Sequence, residues 1–170
     1  MTDPPKNDRS ALQAAALRWR LAAMVYEAVL LFGVTSAVGF ALLASMQWSY
    51  PLTTVARATL QGALFITAGA YLVFCWTRGG QTLALKAWRL KVVTDQDRPP
   101  GIERAIGRYL LAWHLWLPAL ALSAIFDLSV TWTAFALAAS FGLLLLPAAR
   151  DPKRRLLHDR WTGTRVVRAP

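Results

Sequence analysis

The chain has 170 residues, 56% of them hydrophobic and only 16% charged, with a formal net charge of +10. That balance excludes an ordinary soluble domain, where about a quarter of the residues are charged, and the length leaves room for one domain. The lone Cys75 excludes an internal disulfide and reads as a small apolar filler. With two His and one Cys at no recurrent spacing, neither a metal site nor a cofactor is expected.

In chain order, residues 1–17 mix Pro, Asp, Asn and Lys with a short Ala-rich run, which predicts a polar arm turning helical near Leu12. Residues 18–168 then form a membrane domain with four apolar stretches at about 21–46, 58–77, 106–126 and 132–149. Each has, or nearly has, the ~20 residues that cross a ~30 Å hydrocarbon core. The first exceeds the roughly 7 to 15 residues of a signal-peptide core, so an uncleaved helix is expected. Gly33, Ser36 and Gly39 give it a small-residue face for close packing, matched by Ala63, Thr67 and Ala70 on the second helix.

Residues 47–57, with Pro51 and several hydroxyls, read as an external loop. The second connection, 78–105, is the longest. Gly79-Gly80 ends the second helix, Leu83, Leu85 and Trp88 among Lys86, Arg89 and Lys91 form an amphipathic surface piece, and Leu90-Lys-Val-Val93 reads as a strand before a Pro- and Gly-rich turn. Pro118 should kink the third helix, and the short 127–131 makes the third and fourth antiparallel neighbours. In the tail, 150–170, Gly163-Thr-Arg-Val-Val-Arg168 is a second strand-like run, expected to pair with the first beneath the helices.

Of the 19 basic residues, Arg57 alone falls outside residues 1–20, the 78–108 segment and the tail. Basic excess marks the cytoplasmic side. The expected fold is therefore an all-α integral membrane bundle of four transmembrane helices, both termini cytoplasmic, with a short β pairing in the cytoplasmic segments. Lys86, Arg108, Arg155 and Arg160 belong to its basic inner face, suited to anionic lipid headgroups. Trp19, Trp48, Trp76 and Trp132 fall at predicted helix ends as interface anchors. Basic residues are not interleaved with stacking aromatics on a soluble element, so no nucleic-acid partner is expected. Gly-rich phosphate loops, nucleophile elbows and metalloprotease helix motifs are lacking, so no enzymatic activity is expected.

Glu27 stands out as the sole acid inside the apolar stretches. It lies seven residues beyond Arg20, about 700° of helical rotation, so the two point nearly the same way about 10 Å apart in depth. An ionisable group at membrane depth costs roughly 2.5 to 3.5 kcal/mol unless paired or functional. Three readings follow: a carboxylate that exchanges a proton or cation, a carboxylate held by Arg20 or Tyr26 to fix helix register, or a side chain that snorkels to the interface. His114, six residues past Arg108, falls at a similar depth and could relay protons with Glu27, or serve as a packing residue beside Trp113 and Trp116. His158-Asp159 reads as a tail tether, with Asp159 accepting from Arg20, Arg155 or Lys86.

Four runs carry a resemblance: Arg20-Leu-Ala-Ala-Met-Val-Tyr-Glu27; Gly80-Gln-Thr-Leu-Ala-Leu-Lys-Ala-Trp-Arg-Leu-Lys-Val-Val93; Arg108-Tyr-Leu-Leu111; and Asp151-Pro-Lys-Arg-Arg-Leu-Leu-His-Asp-Arg-Trp-Thr-Gly-Thr-Arg-Val-Val167. Together they resemble the RDD family of bacterial membrane proteins, named for one Arg and two Asp. The resemblance places the family Arg on Arg20, the first Asp on Glu27 and the second on Asp159, with Glu in place of Asp in the founding motif. Ala84, Leu85 and Arg89 stand where the family often has Gly, Lys and Gly. The resemblance implies a multi-pass protein of the bacterial inner membrane, and cation/proton exchange is suggested for some members. The expected function is transport of a small cation or proton through Glu27; the alternative is a non-transporting scaffold that binds anionic lipid or a protein. Four helices with one buried acid give limited material for alternating access, so transport would call on a homo-oligomer.

Overall fold

A computed structural model of the chain describes residues 12–113, 116–150 and 155–169. In chain order the elements are α1 (Leu17–Met46), α2 (Thr54–Gly79), α3 (Leu83–Ala87), β1 (Leu90–Thr94), α4 (Ile102–Ala112), α5 (Leu117–Ile125), α6 (Val130–Arg150), α7 (Leu157–Trp161) and β2 (Thr164–Arg168). The protein is mostly helical. Three segments, Leu17–Met46, Thr54–Gly79 and Ile102–Ile125, are long and apolar enough to cross a membrane, and Val130–Ser140 is a shorter apolar helical stretch. Val25, Val29 and Phe32 on α1 turn an apolar stripe outward, as do Ile66 and Phe74 on α2. A surface of that kind suits lipid rather than water.

α1 is 30 residues long, about 45 Å, and so extends beyond a ~30 Å hydrocarbon core. Thr53 caps α2 by accepting from the Ala56 N–H at 3.2 Å. α2 closes at Gly80, whose φ of 70° is left-handed, and the Gly80 N–H returns to the Trp76 carbonyl at 2.9 Å. A Cβ there would run into the Val92 carbonyl, so this corner requires glycine twice over. It brings β1 directly beneath α2, with the Val92 N–H donating to the Gly80 carbonyl at 2.7 Å.

The predicted strands pair as expected. β1 and β2 are antiparallel, with Leu90 opposite Arg168, Val92 opposite Val166 and Thr94 opposite Thr164. Val92, Val93 and Val167 are buried, and Leu90, Val92 and Val166 join Leu72, Trp76 and Tyr109 of the helices in one apolar core. The arm departs from expectation, because residues 12–16 do not become helical at Leu12. Ala14 bridges Val167, the Ala15 N–H donates to the Val166 carbonyl at 3.1 Å, and the Arg168 N–H donates to the Gln13 carbonyl at 3.0 Å. The open edge of β2 supplies partners that outweigh the helix preference of alanine.

In the third stretch α4 ends at Ala112 and α5 begins at Leu117, with residues 114–115 between them outside the described residues, and Pro118 sits in the first turn of α5. α4 packs on α2 where Gly69 admits the Tyr109 ring: a Cβ at Gly69 would lie 2.7 Å from Tyr109 Cε1, and the Tyr109 hydroxyl donates to the Phe65 carbonyl at 2.7 Å. α5 and α6 pack against each other through a short turn, with the Ser123 and Thr133 hydroxyls 2.6 Å apart. Of the small residues on α1, Gly39 meets Leu64 of α2, whereas Gly33 faces open space.

Candidate functional site

The site lies where α1, α4 and the tail converge above the sheet. Pinning of residues 13–15 to β2 fixes the start of α1 and hence Arg20. On α4 the inward face is Ala105, Arg108 and Tyr109, at the i, i+3, i+4 spacing of one helical face. The five-residue α7 delivers His158 and Asp159. Asp159 is fully buried, and Arg20 and Arg108 are 4% and 6% exposed.

The Asp159 carboxylate accepts from Arg20 on Oδ2 and from Arg108 on Oδ1. The Leu156 N–H adds a bond to Oδ2 at 3.0 Å, and His158 Nε2 lies 3.4 Å from Oδ1. Arg108 also donates to the Thr164 hydroxyl at 2.8 Å, and its guanidinium lies 5.2 Å from the centre of the Trp76 ring. Burial alone would raise the Asp159 carboxyl's pKa, but Arg108 first, then Arg20 and His158, hold it well below the usual carboxylate range. The result is a clamp joining the first long helix, the third apolar segment and the tail.

Glu27 belongs to a different contact. Its Oε2 accepts from the hydroxyl of Thr82, whose oxygen in turn accepts from the Leu85 N–H at 3.2 Å and caps α3. Tyr71 of α2 stands beside it. Glu27 Oε1 is buried and makes no hydrogen bond of normal geometry among the described residues. A cavity of about 180 Å³ joins the two groups: Arg20, Glu27, Arg108 and His158 line it, with Trp76 and Trp116 among its apolar walls. That volume is ample for several waters.

The predicted residues therefore separate. Arg20 and Asp159 meet directly. Glu27 shares their cavity but is held by Thr82, not by Arg20 or Tyr26. Arg108 is a correction: expected on the open basic face, it is buried, because Asp159 offers it a carboxylate inside. Trp76 is likewise covered by Arg108 and does not serve as an interface anchor. Lys86 and Arg160 are exposed and Arg155 is half-buried. His114 lies outside the described residues. Thr82, Thr164 and Trp76 were not singled out as site residues; a Thr just before Leu83-Ala-Leu85 is an N-cap signature that could have pointed to Thr82. Among the described residues no three His, Cys, Asp or Glu side chains gather as a metal set.

The sequence matches the family model of the RDD family over residues 14–163, which covers every site residue named above except Thr164. The chain belongs to the RDD family. Neither the curated proteins nor the solved structures gave a match. Within the matched region, the Glu27 carboxylate reaches across to Thr82 before α3.

Proposed function

We propose that this RDD-family protein crosses the bacterial inner membrane four times, with both termini in the cytoplasm, and exchanges a proton or small cation through Glu27. The topology is supported by the meeting of residues 12–16, 90–94 and 164–168, from the arm, the middle connection and the tail, in one small sheet. They share a face only if an even number of crossings separates them. α6, at 21 residues or about 31 Å, has the length of the fourth crossing.

The exchange reading rests on one observation: Glu27 lines a cavity, and its buried Oε1 makes no hydrogen bond of normal geometry among the described residues, with Tyr71 its other polar neighbour. A buried carboxylate oxygen with no donor is costly unless water or an ion reaches it. Asp159 takes no part in exchange, since both its oxygens are occupied and two guanidinium groups keep it ionised. Its role is to hold the cavity's cytoplasmic wall. A scaffold reading has its own support in that clamp, which serves to fasten segments together.

Proteoliposomes carrying an internal pH dye separate the two. With purified wild type, an imposed Na⁺, K⁺ or Li⁺ gradient is expected to drive a pH change above that of empty liposomes, and Glu27→Gln is expected to abolish it. Equal flux in both proteins, or none with any of the three ions, assigns the scaffold role.

A further inference from the structure

A second cavity, of about 400 Å³, opens at the outer edge of the sheet, away from Glu27. Its walls come from the arm, the start of α1, the α3–β1 corner and the end of β2, and its charged side chains are Arg18, Arg89 and Arg168. No carboxylate lines it, and among the described residues none of these three guanidinium groups pairs with an acid. Three like charges around one concavity repel, and an anion seated between them relieves that repulsion.

The frame around the pocket is fixed by the backbone. The Arg89 N–H donates to the Lys86 carbonyl at 3.0 Å, the Ala169 N–H donates to the Arg89 carbonyl at 2.8 Å, and the Arg168 N–H donates to Gln13 at 3.0 Å. Arg89 itself takes a left-handed φ of 51°, which turns the chain into β1 and leaves its side chain exposed. Arg18 lies over the Trp19 ring, 5.1 Å from its centre, and the Trp19 and Trp88 rings are 5.3 Å apart. The backbone thus fixes where the three arginines leave the chain around the concavity, while Ala14, Ala16 and Ala87 leave room inside.

Location selects the ligand. The pocket lies at the first turn of α1, where the chain enters its longest apolar helix, and two indoles mark the level at which amphipathic rings settle between water and hydrocarbon. Guanidinium groups match the oxygens of a phosphate in forked pairs. We propose that this pocket binds the phosphate-bearing headgroup of an anionic phospholipid, at the membrane surface facing the sheet. The site shares no residue with the Glu27 cavity, so the two readings succeed or fail separately.

The test is native mass spectrometry of the full chain in detergent, where no membrane surface charge contributes, titrated with phosphatidylglycerol and with phosphatidylcholine. Wild type is expected to bind the first phosphatidylglycerol more tightly than phosphatidylcholine. Arg89→Gln/Arg168→Gln is expected to weaken that event by about tenfold or more, the loss of one or two charge-assisted bonds. Ala87→Glu, which puts a carboxylate among the untouched arginines, is expected to do the same. Arg98→Gln/Arg104→Gln removes equal charge from exposed positions outside the pocket and should leave binding within about twofold. Equal weakening in the pocket and control variants overturns the proposal in favour of diffuse attraction. Equal affinity for the two lipids in wild type also overturns it. Displacement of the lipid by soluble glycerol phosphate at matching concentration would assign the pocket to a free phosphate compound instead.

Discussion

Asp159→Asn is the sharpest test of the clamp. The substitution keeps the size of the side chain but removes its charge, taking a negative charge from between Arg20 and Arg108, which are 4% and 6% exposed. An amide also has one acceptor where the carboxylate has two, so its NH₂ must face a guanidinium that previously donated to that position. Breaking a buried ion pair by removing one partner costs about 3 to 5 kcal/mol, a large share of the ~5 to 15 kcal/mol that holds a domain folded. The loss should be local first, because Asp159 joins α7 and β2 to α1 and α4. Thermal unfolding in detergent should show a clear drop in midpoint, and deuterium exchange should speed up at 164–168 before it does in α2. A second variant distinguishes lost charge balance from lost contact: replacing the whole set, Arg20→Met/Arg108→Met/Asp159→Leu, should recover most of the stability that Asp159→Asn loses, since apolar replacement of a buried ion cluster is often neutral or better. An unchanged midpoint and exchange pattern in Asp159→Asn, or a triple variant less stable than the single, would refute the reasoning.

Other outcomes follow from the same geometry. Because the Asp159 carboxyl titrates lower in the folded protein than unfolded, its stabilisation is complete above the unfolded value of about 3.9 and drains away as pH falls below it. Melting followed down from neutral pH should therefore stay flat until that range and then decline, and less steeply in Asp159→Asn. Gly80→Ala should destabilise by more than the ~1 to 2 kcal/mol of a left-handed alanine, because its Cβ also meets the Val92 carbonyl. Gly79→Ala, with open space around it, should be neutral or slightly stabilising in the same melt. Arg165 pairs with Asp97, which is 41% exposed, so Asp97→Asn should cost less than about 1 kcal/mol by thermal unfolding.

Local pattern carried the long elements. The first two helices were legible because uninterrupted apolar runs end in recognisable stops, Gly79-Gly80 among them, and the strands because paired valines sit between Gly- and Pro-rich turns. What local pattern missed was decided by distant partners. The Ala-rich residues 12–16 favour helix on their own, yet the edge of β2, some 150 residues along the chain, claims their backbone. Arg108 counts as a boundary charge in any tally of Lys and Arg, but a carboxylate 51 residues away draws it inside. Charge counting gives the sign of a residue and the side of the membrane; it says nothing about which residues are spent on each other.

The two acids make the same point about function. A helical wheel puts Glu27 and Arg20 on one face, and an isolated α1 would invite them to pair. They do not, because Arg20 finds in Asp159 a carboxylate already fixed by the Leu156 N–H and by a second arginine. A partner already ordered asks less entropy of Arg20 than a free Glu27 would. Glu27 is thereby left with Thr82 on one oxygen and only Tyr71 beside it. If Glu27 had Arg20 for itself, its charge would be fixed and exchange would be blocked. Under the proposed exchange function, the clamp would do more than fasten the tail: by occupying Arg20 it would keep the deeper acid available.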